Sequence, residues 1–152
     1  MNSLLKSMIL ITAITACGDS PSAPKPSSLD AALQATADAE QLQITDISVP
    51  FERLAQAPAQ LQTLNRAIEK GPAAVYVMRY FDDTLRHTLH VFVIGDTKRV
   101  YVRLSAAPYE DVTREQHDIH TARYEEKEKS LILETPAGVI RLGPQDVTPV
   151  GA

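Results

Sequence analysis

Apolar residues recur along this chain with two periods, and the changeover falls at Gly71-Pro72. Upstream, Leu61, Leu64 and Ile68 stand at i, i+3 and i+7, the spacing that places side chains on one face of a helix. Pro58 suits a first helical turn, where its missing N–H is not needed, and Gly71-Pro72 cannot continue a helix, so one is predicted over 58–70. A fainter stripe of Leu29, Ala32, Leu33 and Ala37 predicts a shorter helix from Leu29 to Glu40, with Ser28 as its cap. Between the two, Leu42 and Ile44 alternate with polar neighbours in a strand over 42–49 that Pro50 ends.

Downstream the period is 2, and six antiparallel strands are predicted at about 74–81, 85–94, 99–105, 121–126, 129–134 and 139–143. Turn chemistry tests them against one another, because a register is favoured when it brings the apolar faces of neighbouring strands together. A loop of Asp82-Asp83-Thr84 pairs Val77 with Leu89 and Val75 with Val91. A turn in Gly95-Asp96-Thr97-Lys98 pairs Val93 with Val100, Val91 with Val102 and Leu89 with Leu104. The two turns agree on one aliphatic surface, whereas a slip of one residue sets Val77 against His90. A turn near Lys127-Glu128 pairs Tyr124 with Leu131 and Ala122 with Leu133, and Pro136-Ala137 pairs Leu133 with Ile140 and Leu131 with Leu142. The expected fold is α+β: an antiparallel meander sheet of about six strands with the 58–70 helix packed on its aliphatic face, or the same sheet curled toward a barrel. Residues 29–148 then make a single domain.

The opposite face of the first three strands carries Tyr76, Met78 and Tyr80, then His90 and Phe92 beside Arg86 and Thr88, then Tyr101 and Arg103. Tyr, Met and Arg are enriched at protein interfaces, where they bury area and still hydrogen-bond. Tyr76, Met78, Tyr80, His90, Phe92, Tyr101 and Arg103 are therefore the candidate partner-binding residues. Two other readings stand beside this one: a second core layer under the 29–40 helix or a curled sheet, and ordinary solvated alternation. An unpaired edge strand also offers a route to a homodimer.

The first residues are organised differently. Lys6 supplies a positive start, Met8 to Ala16 form an apolar run too short to span a bilayer, and small residues lead to Cys17, the only cysteine. Ile14-Thr15-Ala16-Cys17 resembles the lipobox of bacterial lipoproteins, in which the cysteine is acylated and becomes the new N-terminus. The resemblance implies a signal peptide over 1–16, a lipid anchor on Cys17, and residence in the cell envelope. Gly18 after the cysteine, in place of an acidic residue, implies the outer membrane facing the periplasm. The Pro- and Ser-rich stretch to Ser28 then reads as a flexible tether over 17–28. With a single cysteine, no intramolecular disulfide is expected despite an oxidising compartment.

Charge and chemistry narrow the function classes. The chain carries a net charge of −4, and losing a leader whose only charge is Lys6 makes the mature protein more acidic still, which argues against nucleic acid as a partner. No nucleophile elbow, phosphate loop or dinucleotide fingerprint is present, so neither an enzyme nor a cofactor is expected. Asp82-Asp83 reads as turn chemistry and Glu125 to Lys129 as a solvated hairpin tip. His87 and His90 sit three apart on a strand and face opposite ways. His117 and His120 follow a Thr113…Gln116 capping-box spacing, which would place them together on one helical turn near Glu110 or Asp111, but a zinc site needs a third ligand that is not visible, and no metal is expected. What is expected is a membrane-anchored module that binds a periplasmic or secreted protein, in the manner of lipoprotein inhibitors and immunity proteins. An accessory component of envelope assembly or maintenance is the alternative.

Overall fold

The computed structural model describes residues 28–81 and 85–147. The lipobox with Cys17, nearly all of the tether, and the turn Asp82-Asp83-Thr84 lie outside the described residues. Ser28 is extended, and its hydroxyl accepts the Ala31 N–H at 3.1 Å, opening helix α1 (Leu29–Glu40). Gln41 closes α1 in the left-handed conformation at φ 54°. Strand β1 (Ile44–Asp46) follows, then a 3-10 segment (Phe51–Gln56) and helix α2 (Ala57–Lys70) with Pro58 in its first turn. A Cβ on Gly71 would come within 2.6 Å of the Ala67 backbone, so glycine alone lets the chain turn sharply off α2.

Seven strands come next: β2 (Ala74–Phe81), β3 (His87–Ile94), β4 (Arg99–Ala106), β5 (Thr113–Asp118), β6 (Thr121–Glu125), β7 (Ser130–Thr135) and β8 (Gly138–Leu142). A last 3-10 turn spans Pro144–Val147. They form two sheets, ordered β1-β2-β3-β4-β5 and β6-β7-β8, in place of the single six-strand meander, and the sheets do not close into a barrel. The strands beyond that meander are β1, which falls within the strand expected over 42–49 and runs parallel to β2, and β5, at the far edge. Between β5 and β6 the chain leaves one sheet for the other: the Ile119 N–H bonds to Arg99 O and the very next N–H, of His120, to Glu134 O, both at 2.8 Å.

Three hairpin registers match the sequence reading, pairing Val91 with Val102, Leu133 with Ala122 and Leu133 with Ile140. The first does not: Val77 pairs with Val91 and Val75 with Val93, two residues from the expected register, because Phe81 pairs with His87 and the connection is longer than three residues. A shift of two preserves every side chain's face, so the aliphatic surface is unchanged.

The helices are exchanged relative to expectation. On the aliphatic face, Val75, Val77, Val91, Val93, Val100, Val102 and Leu104 are covered by α1 through Ala32, Leu33 and Ala37. Helix α2 lies on the other face, where Leu61, Leu64 and Ile68 meet Met78, Phe92, Ile94 and Tyr101 from the first sheet and Leu131, Leu133 and Leu142 from the second. Parallel pairing of β1 with β2 makes β1-α2-β2 a crossover, and crossovers have one hand in nearly all proteins. Topology, rather than the more aliphatic surface, therefore selects the face that α2 covers. Helix α1 is further tied down by Arg79, which donates to Asp30 and to Asp46 at 2.9 Å each, and by Lys98 to Glu40 at 2.5 Å.

Candidate binding site

The face that the composition marked as a docking surface is mostly interior. Met78 and Phe92 are 0% exposed, and Tyr101 and His90 are buried as well. The rings of Phe92 and Tyr101 sit 5.4 Å apart at 48°, a tilted aromatic contact sealed under α2 and the second sheet. Met78, His90, Phe92 and Tyr101 are thus corrected from partner-binding residues to core. Tyr and Met serve an internal interface between layers as well as an external one, and composition does not separate the two. Tyr76 is half-buried against the same cluster, Tyr80 is half-buried, and Arg103 is exposed.

At the margin of that core lies a polar group of three. The His90 Nδ1 and the Tyr101 hydroxyl are 2.8 Å apart, and the His90 Nε2 points toward Asp146 Oδ1 at 3.9 Å without a hydrogen bond. Asp146 is anchored by its own turn, its Oδ2 accepting the Gly143 N–H at 2.6 Å. Burial, reinforced by the charge of Arg103, lowers the His90 imidazole to about 4. Burial also raises the Tyr101 phenol and the Asp146 carboxyl, with Arg103 opposing in both cases. Tyr101 therefore keeps its proton, and its hydroxyl shares one hydrogen bond with the His90 Nδ1 whose direction follows the imidazole tautomer. At neutral pH this is no ion pair: the hydrogen-bonded unit is His90 with Tyr101, beside a carboxylate held by its own turn.

The part of this face left open is at one end of the five-stranded sheet. A cavity of about 330 Å³ is lined there by Arg86, Arg103, Ser105, Thr113, Arg114 and Glu115. Alternation places Arg103 and Ser105 on the same side of β4 as Tyr101, and Thr113 and Glu115 opposite them on β5. Arg86 donates to Glu110 at 2.9 Å, and Arg114 to Thr36 and Gln116, each at 2.9 Å. Glu115 is 2.6 Å from the His117 Nε2. Arg103 forms no hydrogen bond or ion pair among the described residues.

Two segments lie at this end of the sheet. Because His87 pairs with Ala106, Leu85-Arg86 leading into β3 and the β4–β5 connection leaving β4 are side by side, and the Arg86–Glu110 ion pair joins them. Each presents a large apolar side chain to solvent from left-handed backbone: Leu85 at φ 62°, 65% exposed, and Tyr109 at φ 66°, fully exposed. Such backbone is strained for residues other than glycine, asparagine and aspartate, and strain of this kind concentrates at functional sites.

The histidines do not converge. Residues 113–118 form an edge strand where a helical turn was expected, because β4 offers a free edge and the ladder pairs all six residues from Thr113 to Asp118 along it. His117 lies on β5, and His120 is exposed beyond it. Among the described residues no group of three His, Cys, Asp or Glu is placed to hold a metal ion, and no described helix is long and apolar enough to cross a membrane. Sequence reasoning missed Leu85, Ser105, Tyr109, Thr113, Arg114 and Asp146. An aromatic in the polar loop Ala107-Pro108-Tyr109-Glu110-Asp111 is the one signal that would have found any of them. Comparison with protein-family models, with curated proteins and with solved structures gives no match to this chain.

Proposed function

We propose that this protein is a membrane-anchored lipoprotein of the bacterial envelope, held through Cys17 on the periplasmic side of the outer membrane, whose domain binds a periplasmic or secreted protein in the manner of an inhibitor or immunity protein. The docking surface is the end of the five-stranded sheet, with Leu85 and Tyr109 as anchors and Tyr80, Arg86 and Arg103 around them. The observation that carries this reading is the pair of solvent-facing apolar side chains on adjacent, strained loops: Tyr brings a large, stiff contact area and a polar tip, the combination found at interface hot spots. An anchor of several acyl chains restrains the domain at the membrane and raises its effective concentration toward a partner there.

Site-specific photocrosslinking tests it in the intact envelope. Tyr109→p-benzoylphenylalanine in the full-length chain is expected to form one dominant adduct with a protein partner, while the same replacement at Val139, exposed on β8, forms none. Equal or absent adducts at the two positions would overturn the docking assignment. Mass spectrometry of the mature chain is expected to find acylated Cys17 at the N-terminus.

A further inference from the structure

The cavity below the docking loops has a chemistry of its own. Its walls hold the guanidinium groups of Arg86 and Arg103 and one carboxylate, while Arg114 lines it from β5 with its guanidinium turned to the α1 face, so in a chain whose net charge is −4 the cavity runs against the trend of the whole molecule. No aliphatic or aromatic side chain lines it, unlike the mainly apolar pockets that take drug-like small molecules. Arg86 is already committed to Glu110. Arg103 is not. Its cross-strand neighbour Glu115 is the natural partner, yet that carboxylate is engaged with His117 at 2.6 Å. Ser105, which also lines the cavity, is buried and pairs its hydroxyl with that of Thr88 at 3.3 Å.

We infer that this cavity receives a side-chain carboxylate from an acidic peptide segment, with Arg103 as its fork-shaped donor and Arg86 as a flanking charge. The inference rests on the docking reading above and names the chemistry of the partner. A planar guanidinium matches a carboxylate through two parallel hydrogen bonds, and an uncommitted one does so without first giving up a partner of its own. Leu85 and Tyr109 stand at the same end of the sheet, so a ligand that also carries apolar side chains gains contacts there that a free anion does not.

The test is fluorescence anisotropy on the full-length protein in detergent micelles, using a labelled decapeptide of alternating Glu and Leu, its Gln/Leu counterpart, and inorganic phosphate as competitor. The Glu peptide is expected to bind, more weakly as salt rises, and at least tenfold more tightly than the Gln peptide. Arg103→Gln should weaken binding about tenfold and Arg103→Glu abolish it, with unchanged circular dichroism. Arg53→Gln, at an exposed arginine elsewhere, should change nothing. Equal binding of the two peptides, no binding, or an Arg103→Gln variant that binds normally would overturn the inference. Displacement by millimolar phosphate would overturn the peptide as ligand in favour of a free anion. Loss of peptide binding with the Tyr109 crosslink intact in Arg103→Gln separates the two readings: a crosslink without any peptide binding by the native protein refutes this inference alone, and peptide binding without a crosslink refutes the docking surface alone.

Discussion

The two faces of the five-stranded sheet are built on opposite plans. One is a flat field of valines under α1, whose contact residues are Ala32, Leu33, Thr36 and Ala37. The other combines Met78, Phe92, Ile94, Tyr101 and His90 under α2 and a second sheet, with Leu61, Leu64 and Ile68 filling the gap between three layers. Small helix residues on a valine surface allow close approach with little volume to lose. Large residues between three layers bury more and leave larger voids when removed. The thin side is thus sensitive to added atoms and the thick side to deleted ones. Polar groups are also found on the thick side, because three layers leave margins where a tyrosine hydroxyl and an imidazole find partners.

The largest test of that contrast is deletion on the thick side. Leu64→Ala should lower unfolding free energy by roughly 2–5 kcal/mol in urea titration. If the loss is no larger than that of an exposed substitution, the three-layer packing is wrong.

Next comes acid. Burial pushes the His90 imidazole down to about 4 in the fold, against its ordinary value of 6.5, so the unfolded chain binds more protons between these values. Stability from neutral His90 is fully present above about 6.5 and is lost as pH falls toward 4, on the order of 3 kcal/mol. Asp146, raised by burial, works the other way: keeping it charged destabilises the fold at neutral pH, and that penalty is relieved as it protonates. His90→Phe should flatten the acid limb of a melting-temperature profile, and an unchanged limb would show that His90 is not the buried group responsible.

The smallest effect is addition on the thin side. Ala37 is fully buried between α1 and the valines, and Ala37→Leu should cost about 1–3 kcal/mol through overpacking. A neutral or stabilising result would mean that α1 rides loosely on the sheet.

Much of this plan is legible in the sequence where local rules decide. Ser28 caps α1, and the helix at 57–70 ends at Gly71 as its stop signals demand. The β3–β4 register follows from one tight turn, whose Gly95 N–H bonds to Lys98 O at 2.8 Å. Legibility fails where non-local pairing decides. Nothing in Ile44-Thr45-Asp46 announces that it will lie parallel to Val75-Tyr76-Val77, and that pairing fixes the side of α2. Thr113 and Gln116 obey a helical spacing that the free edge of β4 overrides. For the candidate site, alternation placed Tyr80 and Arg103 on one face correctly, but which end of that face stays open depends on the second sheet. Asp146 reaches His90 from a turn 56 positions away, and no local pattern carries such a contact.

The segment that passes from β5 into β6 has a mechanical consequence. Its consecutive amides at Ile119 and His120 are fastened to different sheets, with no slack residue between them. Relative movement of the two sheets is accordingly confined to the torsions of this single link. Because α2 and both sheets share one core, the described region should come undone as one cooperative body, and a pull delivered at the β4–β5 connection is transmitted through β4 and this joint into the far layer.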